Sequence, residues 1–182
     1  MRILLRCFFT LLLAAGVAFG AEVPYLSGRV NDNAEILSPE TRRSLSEQLK
    51  AHEDGTGNQI VVLTIPTLGG ESIEEYTVKV FQDWKLGQRG KDNGVLVVVS
   101  IQDRRMRIEV GYGLEPTLTD LLAGRIIRNV MTPRFKAGDY NGGVLDGVQT
   151  IITVLEKGAA AGLEAGAEQE GRTPSASGFD AM

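Results

Sequence analysis

Residues Lys91–Asp120 read KDNGVLVVVSIQDRRMRIEVGYGLEPTLTD, and the middle of that stretch decides the fold. Gly94-Val-Leu-Val-Val-Val-Ser-Ile101 is continuously apolar, too short for an ordinary globular helix and rich in β-branched valine, so it predicts a strand buried on both faces. Asp103-Arg-Arg105 breaks the run. Met106-Arg-Ile-Glu-Val110 then alternates apolar and polar, the period of a strand with one buried face. The two strands form an antiparallel hairpin, which brings the start of the first and the end of the second to one end of the sheet. Asp92-Asn-Gly94 therefore lies beside Gly111-Tyr-Gly-Leu-Glu115, with Asp120 close behind. Three carboxylates, Asp92, Glu115 and Asp120, are expected to flank that end.

Further out, Gln59-Ile-Val-Val-Leu-Thr-Ile65 is a second apolar strand. Between the two apolar strands, Ile73, Tyr76, Val80, Phe81 and Trp84 recur at helical spacing behind an acidic first turn of Glu71, Glu74 and Glu75. Strand, helix and strand make a crossover unit, so 59–65 pairs parallel with 94–101 through a right-handed connection. Strands buried on both sides need helices on both faces. The predicted fold class is α/β, a small sandwich whose mixed sheet combines a β-α-β crossover with an antiparallel hairpin. Strand 106–110 is expected at an edge, where Arg104, Arg105 and Arg107 discourage pairing with another chain.

Three more helices complete the domain. Ser38-Pro39-Glu40 starts one, with serine as N-cap and proline at the first helical position; Leu45, Leu49 and His52 share its buried stripe, and Asp54-Gly-Thr-Gly57 ends it. His52, the only histidine, reads as a partly packed helix-end residue. Leu118, Leu121, Leu122, Ile126, Val130 and Met131 mark the second, expected to end near Pro133. Val144, Leu145, Val148, Ile151, Ile152 and Leu155 mark the third.

At 182 residues, 43% apolar and 23% charged, the chain suits one globular domain with extensions. Arg2 and Arg6 precede an apolar run from Cys7 to Ala15 and the small-residue site Ala18-Phe-Gly20, the pattern of a secretory signal peptide over 1–20. Cleavage removes the only cysteine, leaving neither a disulfide nor a thiol nucleophile. It also takes 19 Lys and Arg down to 17 against 23 Asp and Glu, a net charge of −6 that argues against a general nucleic-acid binder. An extended lead over 21–27, a domain over 28–157 and a disordered tail over 158–182, rich in Ala, Gly, Glu and Ser, complete the division. The expected product is periplasmic or secreted and does not span a membrane.

The chemistry candidates have structural alternatives. Asp92-Asn-Gly94 also suits a turn entering a strand, and Thr117-x-x-Asp120 approximates a capping box; Glu115 has no such alternative. Gly111-Tyr-Gly113 lacks the GxGxxG spacing of a dinucleotide site, and no Walker A sequence is present.

Taken in order, Asp32-Asn-Ala34 before a helix, Trp84-Lys-Leu-Gly87, Lys91-Asp-Asn-Gly94, Arg107-Ile-Glu-Val-Gly-Tyr-Gly113, Leu118-Thr-Asp120 and Pro133-Arg-Phe-Lys-Ala-Gly-Asp-Tyr140 resemble the TPM domain family over roughly 28–157. That family includes exported bacterial proteins, a plant thylakoid-lumen protein of photosystem II repair reported as an acid phosphatase, and a nematode modulator of acetylcholine receptors. The resemblance implies a small α/β sandwich. It also implies a divalent ion, Ca2+ or Mg2+, at the positions matching Asp32, Asp92 and Asp120, with Glu115 nearby. Asp32 precedes a helix that runs toward the start of strand 59–65, so this topology puts it at the far sheet end unless 30–37 run back. The chain departs from the family pattern at Pro116, where many relatives have glycine, and in lacking the C-terminal membrane helix and glycine-rich tail of many bacterial members.

Three functions follow as expectations. The first is an exported domain that binds a divalent cation and acts as an accessory or assembly factor for an envelope or membrane protein complex. The second is a metal-dependent acid phosphatase acting on phosphomonoesters, for which only metal-activated water remains as attacker, since the mature chain has no cysteine, an isolated His52 and no Asp-x-Asp pair. The third is a metal-free structural interaction domain. In the first, Asp92, Glu115 and Asp120 suit calcium or magnesium better than zinc, which prefers Cys and His.

Overall fold

A computed structural model describes residues 21–161. The expected signal peptide over 1–20 and the expected tail beyond 161 lie outside the described residues. The sheet has four strands in the order β1 (Val30–Asp32), β2 (Gln59–Ile65), β3 (Gly94–Ser100) and β4 (Arg105–Val110). The first three are parallel and β4 is antiparallel to β3. All seven residues of β3 are buried, as its apolar run predicts, while β4 buries Ile108 and leaves Arg105 exposed. The hairpin register pairs Val95 with Val110 and Ser100 with Arg105.

The sequence did not announce β1. It is three residues long, two of them the polar Asn31 and Asp32, and too short to show a period. Val30–Asp32 nevertheless pair with Val62–Thr64, making β1 and β4 the two sheet edges.

Helix α1 (Pro39–Thr56) follows β1, with Ser38 Oγ accepting from the Thr41 amide and Gly57 closing it at φ 78. Leu45 and Leu49 pack with Ile60, Val62, Val95 and Val97 on one sheet face. Helix α2 (Ile73–Asp83), capped by Ser72, packs Tyr76 and Val80 against Val61, Leu63, Leu96 and Val98 on the other. Both crossovers step the same way across the sheet, yet their helices lie on opposite faces. They therefore have opposite hands, and the right-handed rule holds for only one of them. The lead residues Ala21, Val23 and Leu26 join α2 on the second face, fixed by bonds from Trp84 Nε1 to the Pro24 carbonyl (2.8 Å) and from the Ala21 amide to the Leu68 carbonyl (3.1 Å).

The first face carries the rest. Helix α3 (Asp120–Ile126) runs without a break through a π-helical segment (Ile127–Met131) into α4 (Thr132–Lys136), and α5 (Tyr140–Lys157) packs across them. Two expectations are corrected here. The cap of α3 is Thr119, whose Oγ1 accepts from the Leu122 amide at 3.3 Å; Asp120 is the first helical residue, not the partner of Thr117 in a capping box. Nor does the helix end near Pro133. A proline lacks the N–H for the carbonyl four residues back and its ring crowds that carbonyl. Widening the preceding turn relieves this, with the Thr132 amide reaching back five residues to the Ile127 carbonyl and the Thr132 hydroxyl reaching the same oxygen at 2.7 Å.

Candidate functional site

The hairpin brings two loops together at the end where β3 begins and β4 finishes. Asp92 sits at φ 48, and its carbonyl accepts from the Gly113 amide at 3.0 Å. Here glycine is required by close approach. A Cβ at Gly111 would lie 2.2 Å from the Asp92 carbonyl oxygen, and one at Gly113 would lie 1.9 Å from that of Lys91. The Gly-Tyr-Gly sequence is thus a backbone seam that locks the 91–92 loop to the 111–113 loop. Asn93 completes the lock: buried, it donates Nδ2 to the Gly57 carbonyl (2.7 Å) and accepts the Gln88 amide on Oδ1 (2.8 Å).

This seam presents the carboxylates outward. Asp92, Glu115 and Asp120 are all exposed, and none forms a salt bridge or side-chain hydrogen bond with a described residue. Between and beside them stand two exposed apolar side chains, Tyr112 at 81% exposure and Leu121 at 63%. Solvated, unpaired carboxylate oxygens are the donor chemistry of a hard cation. Among the described residues, no three acidic, histidine or cysteine side chains converge as a ready-made cluster.

Asp32 is not part of this end. It pairs with Thr64, which in turn pairs with Val99, so it stands about five residues, or ~17 Å, along the strands from Gly94. Its side chain is 1% exposed and its oxygens are taken by protein donors: the Thr64 hydroxyl (2.6 Å) and Ile36 amide (3.2 Å) on Oδ1, the Leu37 amide (3.0 Å) on Oδ2. It ties the 33–37 turn to β2. His52 is likewise engaged, its buried ring bonded through Nδ1 to Glu156 at 2.8 Å. That partner lies 104 residues away, which is why no local signal showed it.

At the far end of the hairpin, the arginines expected to protect an edge divide. Arg107 turns to Glu109 at 2.7 Å. Arg104 and Arg105 instead line a cavity of about 490 Å³ between the β3–β4 turn and α4, together with Lys136. Sequence reasoning missed this grouping because it depends on α4 continuing past Pro133.

A mixed four-stranded sheet with helices on both faces, and a glycine-locked loop pair at one end, define a small α/β domain with its exposed chemistry outside the core. The chain belongs to the TPM domain family, whose match spans residues 30–154. The N-terminal domain of a protein from P. gingivalis is 35% identical, covering 74% of this chain and 88% of that one, with a TM-score of 0.69. The BA42 protein of the psychrophilic bacterium Bizionia argentinensis is 24% identical (68% of this chain, 83% of that one, TM-score 0.58). The N-terminal domain of cg2496 from Corynebacterium glutamicum is 16% identical (89% and 91%, TM-score 0.53). The latter two bear on the fold alone. No curated protein matches the chain. Among the described residues, no helix is long and apolar enough to cross a membrane.

Proposed function

We propose that the chain is exported and acts as a non-catalytic docking domain, an accessory or assembly factor for an envelope protein complex. Its docking surface is the sheet end carrying Tyr112 and Leu121, where Asp92, Glu115 and Asp120 take a calcium or magnesium ion. The observation that carries this reading is the 81% exposure of Tyr112 on a loop that backbone packing holds stiff. A large amphipathic ring on a rigid support loses little conformational entropy when a partner covers it. The carboxylates around it would oppose such burial, because desolvating unpaired charge is costly. A bound cation supplies the compensating charge, with the three carboxylates, which stand apart in the free chain, as its ligands.

The experiment places a photo-crosslinking residue at position 112, and separately at exposed Lys50 on α1, in the exported protein in intact cells. A discrete envelope adduct is expected from 112 alone, weakened by Leu121→Asp. Equal labelling from both positions, or none from either, refutes docking at this end. Titrating the purified mature chain with calcium and magnesium should raise its melting temperature by mass action, an effect reduced in Asp92→Asn and Asp120→Asn. Turnover of a phosphomonoester, lost in the same variants, would favour the phosphatase alternative instead.

A further inference from the structure

The cavity at the opposite end of the hairpin lies outside the carboxyl end of β3, where open α/β sheets bind ligands. Its volume of about 490 Å³ is that of a small-molecule site. One side is cationic. Arg104 on the turn and Lys136 on α4 reach it, and neither forms an ion pair among the described residues; Arg105, paired with Ser100, projects toward the opposite sheet face. The two acidic residues closest in sequence are turned elsewhere. Asp103 accepts from the Ser100 hydroxyl and the Leu68 amide, bonds that hold its carboxyl below the usual range. Asp139 accepts from Arg134 at 3.0 Å and from the Gly142 amide at 2.8 Å as the cap of α5.

The other side is apolar. Ile101, Met106 and Phe135 face the cavity, with the Phe135 ring held edge-on to Tyr140 at 5.3 Å. Two uncompensated cations beside an aromatic wall suit an anion attached to something apolar, since the guanidinium fork matches planar or tetrahedral oxyanions and the ring covers the remainder. The β3–β4 turn also carries Arg104 at φ 53, a left-handed conformation that is unfavourable for a non-glycine residue. Glycine would suit that position better for the turn alone.

We infer that this cavity binds a small organic oxyanion, with Arg104 and Lys136 on its charged head and Ile101, Met106 and Phe135 against its apolar body. The site is separate from the docking end and stands or falls independently of it.

The test uses the mature chain and phenylphosphonate, a probe whose carbon–phosphorus bond resists hydrolysis, so that binding is read apart from any turnover. Binding followed by amide chemical shifts should move residues 99–106 and 132–140. Arg104→Ala and Lys136→Ala should each weaken it by about tenfold, the loss of one charge-assisted contact. Both side chains are exposed, and unchanged melting temperatures confirm that the variants are folded. Inorganic phosphate should bind more weakly than phenylphosphonate, because it leaves the apolar wall uncovered. Vesicles of phosphatidylglycerol in phosphatidylcholine form the second arm. Association with these that is lost in both variants, without soluble binding, assigns the anion to a lipid headgroup. The inference is overturned if neither probe binds, or if binding is unaltered in both variants.

Discussion

Asp32 offers the sharpest test of how this structure is held, because one side chain serves either as a backbone tie or as a metal ligand. Asp32→Ala removes the acceptor of three donors: the Thr64 hydroxyl, the Ile36 amide and the Leu37 amide. The hydroxyl can rotate to another acceptor; the two amides cannot. Each hydrogen bond to a charged acceptor contributes about 1.5–3 kcal/mol, so losing the two amide bonds comes to about 3–6 kcal/mol. Arg42, at 3.9 Å and 45% exposed, adds almost nothing after solvent screening. Asp32→Asn keeps one oxygen and presents an NH2 group to a donor, for a loss of about 2–3 kcal/mol. Urea unfolding of residues 21–182 reads this as a fall in midpoint at constant slope. The reasoning is refuted if both variants unfold within about 0.5 kcal/mol of wild type while losing a calcium-induced rise in stability. Asp32 would then be a ligand.

Other outcomes follow from single positions. Gly113→Ala puts a Cβ 1.9 Å from the Lys91 carbonyl oxygen, so the loop seam must open, at a cost of about 1–3 kcal/mol in thermal unfolding. Gly55→Ala, inside α1 with nothing within 4 Å, should instead stabilise by about 0.5–1 kcal/mol; a neutral Gly113→Ala would remove the argument for a rigid seam. Burial, with a smaller contribution from Glu71, pushes the Tyr76 phenol up to about 12 from an ordinary 10. Because the folded pKa is the higher one, the stabilisation is complete below pH 10 and is lost as pH rises toward 12, up to ~3 kcal/mol. Tyr76→Phe should flatten that part of the stability profile, and an unchanged slope would contradict the assignment.

Elements that carry a long uniform pattern were legible in the sequence. The seven-residue run of β3, the alternation of β4 and the Ser38-Pro39 start of α1 all name their structures through local chemistry. Features that depend on a distant partner were not. β1 is a strand only because β2 supplies its ladder, and Asn93 is buried only because Gly57 and Gln88 reach it. Pro133 is a fair stop signal locally; packing on the first sheet face outweighs it and the π segment absorbs the misfit. Antiparallel pairing alone brings Asp92 beside the 111–115 loop, while the exposure of Asp92 and Glu115 and the place of Asp120 at the head of α3 depend on the loops. The tie made by Asp32 needed Thr64 and the 36–37 amides to be seen.

One continuous element joins the two ends of the domain. The helix begins at Asp120 beside the acidic loops and finishes at Lys136 beside the cavity, spanning 17 residues or ~25 Å at an α-helical rise. Continuity alone does not make a switch; coupling requires an element with two arrangements that both sites bias. The only irregular part is the π segment, and it is pinned. Met131 is fully buried, and a Cβ on Gly147 of α5 would lie 2.7 Å from its Cγ, so the two helices meet with no room for rotation. The Thr132 hydroxyl and amide both hold the Ile127 carbonyl. The expected behaviour is therefore that of a rod. Phenylphosphonate affinity should change by less than ~2-fold when calcium is added, and calcium affinity by the same small factor in the presence of phenylphosphonate, as linkage demands. A change approaching tenfold in both directions would show that the π segment has a second state.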